Sequence, residues 1–178
     1  MNVDVIPDLE LGKAAEHMVV ADLILSGYRA YLTDQGIPYD VVLDHADTLF
    51  RVQVKVTREA KLIPQRGARG MGYLFQVRRS GKGGRRLYAD NAFDILALVA
   101  IDIRSIAYLP FSERILQTVQ LRPPRYQHHS RAERKRNIDQ FPIEAVVSVL
   151  SGKPPVLSTR PAFTSVVASE QGRLFEIA

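Results

Sequence analysis

Two apolar-alternating runs, YDVVLD at 39–44 and LFRVQVKVT at 49–57, flank the short segment His45-Ala46-Asp47-Thr48. Successive side chains of a strand point to opposite faces, so this alternation commits both runs to strands with one apolar and one polar side. Leu43, Phe50, Val52, Val54 and Val56 make the apolar side, and Asp40, Arg51, Gln53 and Lys55 the polar one. A four-residue loop that closes with Asp44 opposite Leu49 makes paired residue numbers sum to 93. Leu43 then faces Phe50, Val41 faces Val52 and Asp40 faces Gln53, so every apolar pair matches in a regular hairpin without a bulge.

Upstream, residues 8–26 (DLELGKAAEHMVVADLILS) are predicted to form a helix with Asp8 as N-cap and Gly27 as its stop. Val19, Val20, Leu23, Ile24 and Leu25 form its apolar face, and Glu16 falls on that face by helical spacing. A carboxylate turned toward a core needs a cation or hydrogen-bond donors close by. Tyr28 to Thr33 is predicted as a first strand. Downstream, the basic, Gly-containing stretch 58–72 reads as a long mobile loop. A second hairpin is expected from Tyr73–Arg78 and Arg86–Tyr88 around SGKGG, and a third from Phe93–Ile101 and Arg104–Leu109. These segments make an α/β chain with a sheet of about six strands. Residues 122–137 read as a polar basic connector, Pro142 to Leu150 as a helix, and the stretch from Ser151 as a loosely ordered tail.

Charge points to the partner. Residues 1–50 carry 2 basic and 9 acidic side chains, whereas residues 51–90 carry 11 basic and 2 acidic, and 121–140 add 6 basic against 2 acidic. Such blocks offer a polyanion several phosphate contacts at once, which makes nucleic acid the expected partner. The chain has no cysteine, excluding disulfides and thiolate metal sites. No apolar run is long enough for a membrane span, and the acidic start MNVDVIPDLE lacks a signal peptide's basic and apolar regions. A cytoplasmic, nucleoid-associated protein with no membrane partner is expected. The histidines His17, His45, His128 and His129 are expected to face solvent, and Gly81-Lys82-Gly83-Gly84 lacks the spacing of a phosphate-binding loop and reads as a hairpin turn.

A helix carboxylate, a strand Asp and a Gln-x-Lys pair on the adjoining strand are the parts needed to hydrolyse a phosphodiester with metal assistance. Asp40 and Glu16 supply hard oxygen ligands of the kind Mg2+ prefers, Gln53 a neutral carbonyl, and the Val54 backbone carbonyl a further one. Lys55 shares the face of Gln53 and can hold a nucleophilic water or neutralise charge growing on the phosphate.

The order of Glu16, Pro38-Tyr39-Asp40 and Gln53-Val54-Lys55 resembles the PD-(D/E)XK nuclease superfamily, with Gln in place of its third acid. Gly12-Lys13-Ala14-Ala15-Glu16 upstream, and Phe93-Asp94-Ile95-Leu96 with Tyr108-Leu109-Pro110 downstream, look most like the Gln-x-Lys homing endonucleases of bacterial group I introns. Archaeal Holliday-junction resolvases are similar too. The resemblance covers about residues 9–121. It implies a restriction-endonuclease-like mixed central sheet flanked by helices, built on an αβββαβ core. It also implies a nuclease unit at 1–121, followed by the connector and helix at 122–150 and the tail at 151–178. The implied activity is Mg2+-dependent cleavage of double-stranded DNA at a specific site, with Mn2+ able to substitute, by a homodimer or homotetramer. Glu16, Asp40, Gln53 and Lys55 are the expected catalytic set, the first three as metal ligands. A structure-selective junction resolvase and a DNA-binding module without activity are the rival readings. Arg58, Lys61, Gln65, Arg66, Arg69, Arg78, Arg79, Lys82, Arg85 and Arg86 are the expected DNA contacts.

Overall fold

The structure, a computed structural model, describes residues 6–65, 68–78, 88–89, 91–111, 117–124 and 137–152, with the backbone alone at 64, 65, 68 and 69. Helix α1 spans Asp8–Leu25 and packs a stripe of Leu11, Ala15, Val19 and Leu23 inward. Pro7 is its N-cap; Asp8 already lies in the first turn, where a carboxylate favours the helix dipole. Gly27, at φ +86°, turns the chain into β1. Ile24 and Leu25, expected on the apolar face, are instead exposed. The buried stripe follows one row of the helix, and these two lie past its edge.

Strands β1 (Arg29–Leu32), β2 (Val41–His45) and β3 (Thr48–Thr57) form an antiparallel meander. Leu43 pairs with Phe50 and Val41 with Val52, the register the alternation predicts. The turn is tighter than expected: His45 and Thr48 pair, and Ala46 and Asp47 alone make the bend with φ of 50° and 61°. Two consecutive positive φ values match the right-handed twist of the flanking strands, which lets a two-residue loop close here. His45 is half-buried with its ring edge-on to Tyr28 at 5.1 Å, against the expectation of full exposure.

β3 then pairs in parallel with β6 (Ile95–Ala100), and β6 in antiparallel with β7 (Ser105–Pro110), completing a five-stranded mixed sheet in the order β1-β2-β3-β6-β7. The third hairpin thus forms as predicted. Between β3 and β6, the stretch 58–72 read as a mobile loop forms β4 (Lys61–Gln65) and the first half of β5 (Ala68–Gln76), whose second half falls on the predicted strand from Tyr73; both join β8 (Thr118–Leu121) in a separate three-stranded sheet. The described part of β5 pairs with β4 and β8, where a hairpin with residues 86–88 was expected; residues 86 and 87 lie outside the described residues. Gly72 explains why a Gly-containing stretch is a strand here. A Cβ at this position would sit 3.2 Å from the Leu121 carbonyl and 2.6 Å from the Ile63 side chain, so its absence lets the three strands close.

The two faces of the large sheet are covered differently. Val52, Val54, Ile95, Ala97 and Val99 pack with Ala15, Val19 and Leu23 of α1, and with Ile143, Val146 and Val147 of α2 (Ile143–Ser151). Leu96, Leu98 and Ala100, on the opposite face, pack with Tyr73, Phe75 and Val77 of the small sheet and its continuation. Both helices therefore share one face, and the second helix of the αβββαβ expectation is replaced, among the described residues, by the β4-β5 hairpin. Arg122, read as the start of a polar basic connector, is buried and donates to the Met71 carbonyl at 2.8 Å. The tail from residue 153 lies outside the described residues. No helix among those described is long and apolar enough to cross a membrane.

Candidate functional site

β3 is ten residues long and β2 five, so β3 runs on beyond the point where regular pairing with β2 ends at Val41 and Val52. The Asp40 N–H donates to the Val52 carbonyl at 2.9 Å, one residue out of the ladder's register, and the Asp40 carbonyl accepts from Thr33 N–H at 3.0 Å. The Thr33 hydroxyl donates to the Tyr39 carbonyl at 2.8 Å. With its backbone held on both sides, Asp40 turns its carboxylate over the edge of β3 that β2 leaves unpaired. Its Oδ2 accepts from the Val54 N–H at 2.8 Å and from Gln53 Nε2. The expected backbone pairing of Asp40 with Gln53 is thus replaced by side-chain capping, because a buried strand N–H must find an acceptor once its neighbour strand ends. Gln53 Nε2 also donates to the Val54 carbonyl at 3.2 Å.

Gln53 is 6% exposed and Lys55 is half-buried, on the face shared with Leu96 and Leu98. Alternation alone makes this a polar and hence exposed face; the small sheet covers much of it instead. Lys55 Nζ lies 5.2 Å from the centroid of the Tyr88 ring. Burial lowers the Lys55 pKa, and the Asp40 charge opposes that shift. Burial raises Asp40, against the pull of the Val54 N–H, Lys55 and Gln53. Glu16, half-buried on α1, is raised by burial and then by the Asp40 charge, while His17 and Lys13 pull it down. The structure therefore brings Glu16, Asp40, Gln53 and Lys55 to one corner, with Asp40 in contact with Gln53 and within electrostatic reach of the other two.

A pH dependence follows. Carboxylates raised above their ordinary values bind protons more tightly in the folded chain than in the unfolded one, so their contribution to stability falls as pH rises through the raised values. Asp40→Asn is expected to gain on wild type as pH rises from the ordinary carboxylate range to neutrality, measured by denaturant unfolding in a chelator. A gap that stays constant with pH would contradict it.

One pair lies outside the expected set. Arg51 donates to Asp94 through Nε (3.0 Å), Nη2 (2.8 Å) and its backbone N–H (2.8 Å), and through Nη1 to the Asn91 carbonyl at 2.6 Å. Burial raises Asp94, but the Arg51 hydrogen bonds and charge outweigh it and hold the carboxyl below its ordinary value. The pair clamps the start of β6 to β3 across 43 residues of sequence, which no local pattern reveals. The contact of Tyr88 with Lys55 is equally illegible, since it joins two segments 33 residues apart in sequence.

Of the expected DNA contacts, Arg58, Lys61 and Arg78 have described side chains. Arg58 donates to Asp8 at 2.6 Å and to the Ile6 carbonyl at 2.7 Å, tying β3 to the start of α1. Lys61 is exposed on β4. Arg78 donates through Nη2 to Gln117, and its Nε is buried with no hydrogen-bond partner among the described residues. Arg66, Arg79, Lys82, Arg85, Arg86 and the Gly81–Gly84 turn, as well as the side chains of Gln65 and Arg69, lie outside the described residues.

A family model for the PD-(D/E)XK endonuclease matches residues 8–141, spanning α1, both sheets and the turn that precedes α2. The chain belongs to the PD-(D/E)XK endonuclease family. No curated protein matches it. Among solved structures, the bacterial homing endonuclease I-Ssp6803I is similar over 82% of this chain and 96% of its own, at 16% identity and a TM-score of 0.57, a likeness of fold. The Holliday junction resolvase Hjc of Archaeoglobus fulgidus overlays more loosely, at 15% identity and a TM-score of 0.39 over 81% of this chain and 98% of its own.

PD-(D/E)XK nucleases generally use divalent metals. Here the donor chemistry fits a hard cation: two carboxylates, the Gln53 amide and the Val54 carbonyl are all oxygen donors, and Asp40, Gln53 and Val54 are already in mutual contact. Among the described residues no three His, Cys, Asp or Glu side chains gather.

Proposed function

We propose that this chain is a divalent-metal-dependent endonuclease that cuts double-stranded DNA at a specific site, as a homodimer or homotetramer, with Mg2+ the working ion and Mn2+ a substitute. The observation that supports it most is the convergence of Asp40, Gln53 and Val54 at the end of β2, with Lys55 on the same face of β3. Glu16, Asp40 and Gln53 would hold the ion with the Val54 carbonyl. When bound, it supplies Lewis acidity to the scissile phosphate. Asp40 is prepared for this role because its backbone is pinned by Val52 and Thr33, so its carboxylate does not have to be organised on binding. Lys55 supplies a positive charge to a non-bridging phosphate oxygen as negative charge grows there, and its partial burial strengthens that interaction relative to bulk water.

The deciding experiment incubates the full chain with linear duplex libraries and with a synthetic four-way junction, in Mg2+ and in a chelator. Metal-dependent cutting of duplex at one sequence supports the reading. Cutting of the junction regardless of sequence makes the chain a resolvase, and binding without nicking makes it a DNA-binding module.

The DNA surface belongs to the basic block 51–90, with Lys61, Gln65, Arg66, Arg69, Arg78, Arg79, Lys82, Arg85 and Arg86 as its contacts. Arg58, held by Asp8, would have to leave α1 to join them. Replacing Arg78 and Arg79 together by Ala is expected to weaken binding to target and random duplex alike. It should also flatten the slope of log affinity against log salt by up to about two units, since each phosphate contact contributes roughly −0.9. An unchanged slope would show that this charge block faces something other than DNA.

A further inference from the structure

Lysine is a flexible four-carbon stem whose ammonium can occupy many positions, so a lysine that works at one phosphate oxygen needs something to hold it there. On β3 Lys55 is paired with Leu98 of β6, but an apolar neighbour alone does not aim an ammonium. The ring of Tyr88 does. Lys55 Nζ sits 5.2 Å from the ring centroid, within the range in which the negative face of an aromatic ring attracts a cation. The ring is itself oriented. It meets Phe93 edge-on, at 4.9 Å and 87°, and Phe93 lies on Phe111 at 4.1 Å and 38°. Phe93 is 2% exposed and directly precedes Asp94, whose carboxylate is clamped by Arg51 of β3. A chain of packed rings thus connects the frame of the sheet to the face that Tyr88 turns toward Lys55.

We propose that Tyr88 is a positioning residue that holds the Lys55 ammonium at the working face through a cation–π contact, an inference that rests on the nuclease reading of this site. The Tyr88 ring then acts through Lys55, without touching DNA or metal. Its contribution should appear in the rate of the chemical step and not in DNA affinity.

Two variants and one graded series test it in the full-length protein. Tyr88→Phe keeps the ring face and is expected to cleave within about twofold of wild type. Tyr88→Leu keeps apolar bulk without a ring face and is expected to lose about 3- to 30-fold in single-turnover rate with DNA affinity unchanged. Phenylalanines fluorinated stepwise at position 88 drain charge from the ring face at nearly constant shape. The log of the rate should fall with each fluorine while the melting temperature holds, a trend that a purely structural ring would not produce. A readout independent of cleavage is the ring-current shift: in DNA-free protein the Lys55 Hε protons should resonate upfield with Tyr or Phe at 88 and return to ordinary values with Leu. An absent upfield shift, or wild-type rates across the fluorinated series while Lys55→Ala is inactive, overturns the role of Tyr88 and leaves the nuclease reading intact. Full activity of Lys55→Ala removes that reading and this inference with it.

Discussion

Lys55→Ala and Asp40→Ala are each expected to slow DNA cleavage by at least about 100- to 1,000-fold, the usual cost of removing one group aimed at developing charge. Binding should change little, because Lys55 is one cation among the eleven basic residues of 51–90. The two variants should differ in stability. Asp40 accepts hydrogen bonds from the Val54 N–H and Gln53 Nε2, so truncating it leaves two donors without their acceptor at a cost of about 1 to 3 kcal/mol each. Lys55→Ala removes a cation whose burial lowers its pKa, and its main loss is the packing of the stem. Asp40→Asn separates chemistry from folding, since it retains an oxygen acceptor for the Val54 N–H while losing the charge. Single-turnover cleavage, DNA titration and denaturant unfolding of all three variants check these outcomes. Equal loss of binding and stability in every variant, with cleavage falling only in proportion, would make this corner structural.

Substitutions at Gln53 should produce the second large effect, in opposite directions with and without metal. The amide donates to both Asp40 and the Val54 carbonyl from a position that is 6% exposed. Gln53→Glu puts a carboxylate against two acceptors, and in a chelator at neutral pH it should cost about 2 kcal/mol or more. A divalent cation should restore the loss by binding the added acid, and mild acid should restore it by supplying a hydroxyl donor in place of the amide. Cleavage by Gln53→Glu is expected to persist or to shift its preference between Mg2+ and Mn2+, whereas Gln53→Leu, which has no oxygen to offer, should be inactive. Unfolding curves with and without Mg2+, alongside cleavage in each metal, read both halves. Full activity of Gln53→Leu in Mg2+ would take Gln53 out of the site, and equal chelator stability of Gln53→Glu and wild type would deny the amide its donor role.

Local periodicity was sufficient to read the strands around this corner. Alternation in 39–57 determines which residues of β2 and β3 share a side, and matching the apolar pairs determines the register that the ladder adopts. Helical spacing likewise carries Glu16 toward the core side of α1 before any neighbour is known. These features are legible because they depend on side-chain periods of 2 and 3.6, which are written into consecutive residues.

The rest depended on which segments meet. β4 and the first half of β5 were invisible because the glycines and basic residues of 58–72 do not alternate, and Gly72 earns its place in a strand only against the Leu121 carbonyl, 49 residues away. Covering the polar side of β3 with that second sheet turned an apparently solvated Gln53 and Lys55 into buried and half-buried groups, so desolvation, a property of packing, decides the Lys55 pKa. The Asp40 cap on Val54 exists because β3 outruns β2, a difference in strand length fixed only when Thr33 and Val52 hold the Asp40 backbone. Sequence by itself determined the strands around this corner, their facing and the residue types available for metal and phosphate chemistry. Tertiary structure alone decided which of them are desolvated, which donor meets which acceptor and which ring faces Lys55, because burial and hydrogen bonding between distant segments have no counterpart in local periodicity.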